Sequence, residues 1–286
     1  MALASIDRAR RIGNSVVLYV TLAAISVVSV LPFLWIILSS FKPHDELYSK
    51  QLTFLPHHYT LENYTKMFER MAGFGYYYRN SILVSFGTVI LTLFTGSLAA
   101  YALSRFRFRG ANAIFLVFLG TIMVPGEVGL IGQYELLSAY GLLNTLTGLT
   151  LSYTAFNLAL TIFIMRNVFA AVPQEMLDAA RVDGCSWWES FWQIMVPMGA
   201  SGLAAAGTLV FLNAWNEFIF ALTMNDWTDE ARTLTVGIQL LQGQWQHWDY
   251  GVLFSSVMLS FLPVIVLFLL LQRTFMRGLT AGAIKG

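Results

Sequence analysis

The stretch PQEMLDAARVDGCSWWESFWQIMVP, Pro173–Pro197, decides how the rest of the chain is read. It mixes charge with helix signals and lies between two apolar segments, each long enough to cross a bilayer. Pro173 suits the first turn of a helix, with Glu175 and Asp178 at the positive end of its dipole. Ala179 and Ala180 offer a smooth patch that another surface can approach closely. Gly184 fits a helix C′ position, where a positive φ is wanted. Ser186 and Glu189 form an S-x-x-E capping box that opens a second helix, Trp187 to Val196, and Pro197 closes the unit. The spacing therefore predicts a helix, a sharp glycine turn and another helix, a unit shaped to dock into something outside the membrane.

Composition sets the class of the segments on either side. Apolar residues make up 57% of 286 positions, charged residues 12%, and the mean hydropathy is +0.63; a soluble domain carries about 25% charged residues. Uncharged runs at Ile12–Phe41, Asn80–Ser104, Leu136–Met165, Ser190–Asn216 and Tyr250–Gln272 each exceed the roughly 20 residues a spanning helix needs. A sixth, Gly110–Gly126, continues past Glu127 to about Tyr134. The expected fold is an all-α polytopic membrane protein in one domain, 1–286. Its six spans lie near 14–41, 80–104, 111–134, 144–166, 199–224 and 250–273, with the helix-turn-helix loop at 170–197. The basic start before the first apolar run reads as a retained span, since the run is too long for a signal peptide.

Lys and Arg placement orients these spans. Eleven of the basic residues fall on the side of the two termini and the 170–197 loop, among them Arg8, Arg105, Arg107, Arg109, Arg166 and Arg181. Six fall on the other side, where Asp45, Glu46, Glu62 and Glu69 dilute them. Both termini and the loop are thus expected in the cytoplasm. A net charge of +1 points to no partner, and Cys185, the only cysteine, leaves no intrachain disulfide and reads as a small turn filler.

The Pro173–Pro197 stretch resembles the EAA loop of binding-protein-dependent ABC import permeases, whose pattern is E-A-A, three residues, G, nine residues, then I-x-L-P. Asp178-Ala179-Ala180, Asp183-Gly184 and Ile194-Met195-Val196-Pro197 keep that spacing, with Asp for Glu and Val for Leu. SSFKP at Ser39–Pro43, LENY at Leu61–Tyr64, NAWNEFIFAL at Asn213–Leu222 and the tail FMRGLTAGAIKG at Phe275–Gly286 are similar to sugar-import permeases, in particular the shorter permease of the carbohydrate-uptake pairs. The resemblance implies that Asp178, Ala179, Ala180, Asp183, Gly184 and Pro197 couple the chain to a cytoplasmic ATPase. It also implies that the tail, through Gly282 and Lys285, reaches the ATPase dimer interface, although a frayed basic tail has the same composition. The implied partners are a second permease completing a heterodimer, two ATP-binding cassette subunits, an extracytoplasmic solute-binding protein and membrane lipid. The implied location is the cytoplasmic membrane of a prokaryote. ATP and Mg would be bound by the ATPase, and no cofactor by this chain.

Other features leave alternatives open. The outer segment from Lys42 to Arg79 carries an aromatic patch, Phe74, Tyr76, Tyr77 and Tyr78, which suits either the headgroup level or a binding-protein surface. Trp245 and Trp248 pose the same choice. The basic turn SRFRFRG, Ser104–Gly110, reads as a topology anchor at the inner face. Pro125 and Gly126 interrupt span three, so Glu127 either faces a translocation path or marks the end of a short span. In span five, Glu217 among Asn213, Trp215 and Asn216 has the composition of a carbohydrate site, or of a helix-packing or gate residue. An unbroken helix from Gly199 would put Glu217 roughly 27 Å along, near the outer interface.

Missing motifs narrow the function further. The chain has no GxxxxGK[ST] run, no metal-ligand spacing among His44, His57, His58 and His247, and no nucleophile–base arrangement. It is expected to be a non-catalytic permease. A non-sugar solute such as glycerol 3-phosphate or a polyamine, or a self-sufficient secondary transporter, are the competing readings; the last usually has more spans and more ionisable residues at bilayer depth.

Overall fold

The computed structural model describes residues 2–51, 53–225, 228, 230–244 and 249–283. Among them every regular element is helical. In chain order these are α1 (Ala2–Ser40), α2 (His44–Leu47), α3 (Glu62–Arg70), α4 (Phe74–Arg105), α5 (Ala111–Ile122), a 3-10 turn (Gly126–Gly129) and α6 (Leu130–Ala139). Then come α7 (Leu146–Ala170), α8 (Gln174–Val182), α9 (Trp187–Met198), α10 (Ala200–Asn216), α11 (Ile219–Met224), α12 (Leu234–Gln244) and α13 (Tyr250–Ala283). Four stretches, Asn14–Ser40, Phe74–Arg105, Leu146–Ala170 and Tyr250–Gln272, are helices long and apolar enough to cross a membrane. Two bent pairs bring the total to six if each is one span. These are Ala111–Ile122 with Gly126–Ala139, bent by 100°, and Trp187–Met198 with Ala200–Asn216, bent by 79°.

The described chain divides into two compact units. The smaller comprises residues 1–70 and 244–259, and its order comes from the two short motifs SSFKP and LENY. Asn63, buried at the first turn of α3, donates from Nδ2 to the carbonyls of Ser40 at 2.9 Å and Lys42 at 2.8 Å. Those carbonyls lie where α1 stops and has no further helical donors to offer them. Tyr64 and Ser40 hydroxyls meet at 2.8 Å, and the Phe41 and Tyr64 rings pack at 5.4 Å. Lys42, though 3% exposed, donates to the Thr53 carbonyl and lies 4.7 Å above the Trp35 ring. Arg70 and Asp249 form an ion pair at 2.6 Å. The motifs are thus one intramolecular clasp around a helix end. Glu46 joins it, accepting from the Thr53 hydroxyl at 2.5 Å and the His57 N–H at 3.0 Å; these bonds hold its carboxyl below the usual carboxylate range.

The larger unit, residues 71–243 and 260–286, is built on α4, which packs along α7 and α10. Its inward face carries Ser85, Thr88, Thr92 and Ser97, all buried, and small side chains of this kind let helices approach closely where lipid supplies no hydrophobic drive. Two apolar cores flank this seam. One gathers Val84, Leu149, Tyr153, Phe220 and Met224; the other gathers Tyr101, Met165, Phe169, Leu177, Phe191 and Met195. Asn80 donates to the carbonyls of Glu230 and Arg232 at 2.7 and 2.9 Å, and the Ser81 hydroxyl accepts from the Leu234 N–H at 2.8 Å. These bonds fasten the approach to α12 onto α4.

Three span boundaries differ from the sequence reading, each for a local reason. The second span, expected from residue 80, begins at Phe74, because a helix runs through Arg79 where a count of uncharged residues stops. The aromatic patch therefore lies on a helix, which buries Phe74 and Tyr77 and exposes Tyr76. The third span, expected as one segment over 111–134, turns sharply at Met123–Pro125, since Pro125 has no N–H and pushes Val124 out of the helical region. The fifth, expected over 199–224, breaks at Glu217, whose backbone is extended (φ −65°, ψ 133°).

Candidate functional site

Two features are candidates for functional chemistry, and both lie in the larger unit. The first is the α8–α9 pair. The Cys185 N–H bonds to the Ala180 carbonyl at 2.9 Å and the Gly184 N–H to the Arg181 carbonyl at 3.1 Å, the two bonds of a Schellman ending. Gly184 has φ +86°, which a side chain would strain. The turn then enters α9 through a complete capping box: the Ser186 hydroxyl accepts from the Glu189 N–H, and the Glu189 carboxylate from the Ser186 N–H at 2.7 Å. The Ser186 N–H and hydroxyl hold the exposed Glu189 carboxyl below its ordinary range. A π-helical turn, Phe191–Met195, precedes Pro197, which cannot donate to a helical carbonyl one turn back.

One face of the pair is an anchor. Leu177, Phe191 and Met195 are at most 1% exposed, packed with Tyr101 of α4 and with Met165 and Phe169 of α7. Burying each such side chain contributes about 2 kcal/mol. The opposite face is free. Asp178, Ala179, Asp183 and Gly184 are exposed, and Val182 is 88% exposed. Arg181 lies 3.7 Å over the Trp187 ring and bridges the two helices. Ala179 and Ala180 do not form one patch: Ala180 is 8% exposed and belongs to the anchoring side. Pro197 is exposed beyond the π turn.

The second feature is a cavity of about 480 Å³ bounded by α7, α10, α11 and the broken third span. Glu127, Asn213, Asn216 and Glu217 all line it. Trp215 does not, which corrects its grouping with them. On a helix, positions 213 and 216 share a face and 215 points away, while Glu217 follows at the helix end. Trp215 instead stacks on Phe211 at 5.7 Å and donates from Nε1 to the Ser260 carbonyl at 3.2 Å.

Glu217 sits at the centre of a bond network. Its Oε1 accepts from the Phe220 N–H at 2.8 Å, and its Oε2 from the Ala221 N–H at 3.0 Å and the Tyr153 hydroxyl at 2.5 Å. Its carbonyl accepts from the Thr235 hydroxyl at 2.8 Å. The carboxylate thus caps the short helix α11 and pins it to α7. Beside it, Asn213 donates to Asn157 Oδ1 at 2.9 Å, and Asn157 to the Tyr153 carbonyl at 2.8 Å. Gly126 lies against the Phe156 ring so closely that no Cβ would fit. Tyr153, Phe156 and Asn157 were not singled out from sequence; polar Tyr153 and Asn157, one helical turn apart inside an uncharged run, were the available signal. Lys285, Trp245 and Trp248 lie outside the described residues, and Gly282 falls in the last turn of α13.

Broken spans around a polar cavity, with an exposed helix pair braced against two apolar helices, fit a multi-pass permease. The chain belongs to the family of binding-protein-dependent transport system inner membrane components, whose model matches residues 9–281. It is 34% identical to the diacetylchitobiose uptake system permease protein NgcG of Streptomyces coelicolor, over 91% of this chain and 85% of that one. It is 33% identical to the arabinooligosaccharides transport system permease protein AraQ of Halalkalibacterium halodurans, over 92% and 94%. It is 34% identical to the trehalose/maltose transport system permease protein MalG of Thermococcus litoralis, over 91% and 93%. Its fold is that of a bacterial ABC transporter involved in the import of the acidic polysaccharide alginate, with a TM-score of 0.80 at 21% identity, covering 91% of this chain and 96% of that one. Membership makes the chain a non-catalytic, multi-pass inner-membrane subunit of an ABC importer. Separate subunits hydrolyse ATP, and a solute-binding protein works with it.

Proposed function

We propose that this chain is the shorter permease subunit of an importer for an oligosaccharide or sugar derivative, with six spans in one permease domain and both termini in the cytoplasm. The observation that carries the sugar reading is the 33–34% identity, over about nine-tenths of the chain, to permeases of diacetylchitobiose, arabinooligosaccharide and trehalose/maltose systems. The cavity supports it. Amides of Asn157, Asn213 and Asn216 and the carboxylates of Glu127 and Glu217 supply hydroxyl-binding groups, and Phe156 an apolar face. Among the described residues no Lys or Arg lines this wall, which counts against a phosphate ester such as glycerol 3-phosphate. The carboxylates leave a polyamine as the second reading.

In this reading α8 and α9 seat on a cytoplasmic ATPase subunit through Asp178, Ala179, Asp183 and Gly184, with Ala180 and Pro197 setting the helix positions. A second permease completes the path as a heterodimer, and two ATPase subunits bind ATP and Mg. Closure of the ATPases draws the loops together and switches the path between its two openings. The test is a pull-down in mild detergent from the native host, with a binding-protein screen against neutral oligosaccharides, amino sugars and polyamines. Recovery of a second permease and an ATPase, and binding of an oligosaccharide, is the expected result. A homo-oligomer without an ATPase, or a binding protein that takes only polyamines, overturns it.

A further inference from the structure

The three arginines of the SRFRFRG turn are not equivalent. Arg107 and Arg109 are exposed, as a topology anchor would be. Arg105, the last residue of α4, is partly buried and reaches three acceptors on other elements. Its Nη2 donates to the carbonyls of Phe169 and of Val172, the latter at 2.5 Å. These close the end of α7 and its exit, where helical donors run out. Its Nη1 donates to Gln174 Oε1 at 3.1 Å, and Gln174 is the first residue of α8. The Gln174 side chain in turn donates from Nε2 to Asp178 Oδ1 at 3.1 Å. A continuous bond path thus runs from the end of α4, past the end of α7, to the acidic position on the exposed face of α8.

We infer that Arg105 is a positioning residue for the docking loop: its guanidinium ties α8 to the ends of both spanning helices, so that α8 moves with them as one piece. The inference rests on the reading of α8 and α9 as the ATPase-docking pair. A planar, forked cation suits the task because it holds several acceptors at fixed angles. Lysine offers the same charge from a single point. The hydrophobic anchor through Leu177 sets depth, while the fork sets the direction of α8 at its N-terminal end.

The experiment is hydrogen exchange by mass spectrometry on the complete importer purified from its native host in nanodiscs, alongside ATP hydrolysis with and without the co-purified binding protein. In Arg105→Gln and Arg105→Lys, amides of residues 174–183 are expected to exchange about tenfold faster, the loss of one charge-assisted hydrogen bond. Peptides within α4 and α7 should stay as in wild type, and so should every peptide of Arg107→Gln. Stimulation of hydrolysis by the binding protein should fall several-fold in both Arg105 variants. Unchanged exchange at 174–183, wild-type behaviour of Arg105→Lys, or faster exchange throughout α4 and α7 would each overturn the assignment. The docking reading fails separately: it falls if Gly184→Pro retains the ATPase, whereas the exchange result depends on Arg105 alone.

Discussion

Gly184 and Glu217 show how single residues set the geometry of the helix pair and of the cavity. Gly184 sits at φ +86° and donates to the Arg181 carbonyl. Proline there forbids the angle and removes the donor. Gly184→Pro is therefore expected to reach the membrane in normal amount but to lose most of the ATPase in a pull-down, and full transport would contradict the docking role. Ala179→Asp and Ala180→Asp should separate in kind. Ala179 is exposed, so its variant should weaken docking without lowering thermal stability. Ala180 is buried on the anchoring side of α8, so its variant should lower stability as well, because a carboxylate is forced into a buried position. Glu217→Ala leaves the Tyr153 hydroxyl and two N–H groups of α11 without their acceptor. That should cost about 2 kcal/mol of stability, read as a lower melting temperature in detergent. The acidic 178 position, the glycine and the capping pair were all legible from spacing. The cap role of Glu217 was not, because its donors come from a helix break that composition does not mark.

The helices show how caps and breaks turn local chemistry into placement. The α9 start depends on the Ser186–Glu189 box, and the Glu189 carboxyl is held low by the Ser186 N–H and hydroxyl. A depressed carboxylate contributes stability above its unfolded pKa and loses it as pH falls through the folded value. Exchange protection at residues 186–190 should therefore persist through neutral pH and decline only below the ordinary carboxylate range. Glu189→Gln should flatten that decline, and an unchanged profile in the variant would assign the acid sensitivity elsewhere. In the smaller unit, Asn63→Ala removes both donors to the α1 terminus and should loosen the SSFKP segment in limited proteolysis. The presence of apolar stretches of spanning length was readable from uncharged runs, because a bilayer requires about 20 apolar residues. The turn at Met123–Pro125 was signalled by proline, but its 100° angle and the close approach of Gly126 to the Phe156 ring were not, since both depend on packing between distant segments.

At the scale of the molecule, the sequence alone determined membership: an apolar, span-punctuated chain with one spaced, charged helix pair. Periodicity, caps and run lengths are local properties, so adjacent residues suffice to express them. Tertiary structure decided the rest. It brought Glu127, Tyr153, Asn157, Asn213 and Glu217, drawn from three distant segments, around one cavity, and it turned Trp215 away into a helix contact. It joined SSFKP to LENY across twenty residues, and Arg105 to the exit of α7 and the first residue of α8. Such groupings depend on which helix faces meet, and that is settled by close packing along the small-residue seam of α4, a property of the assembled helices that no single stretch encodes.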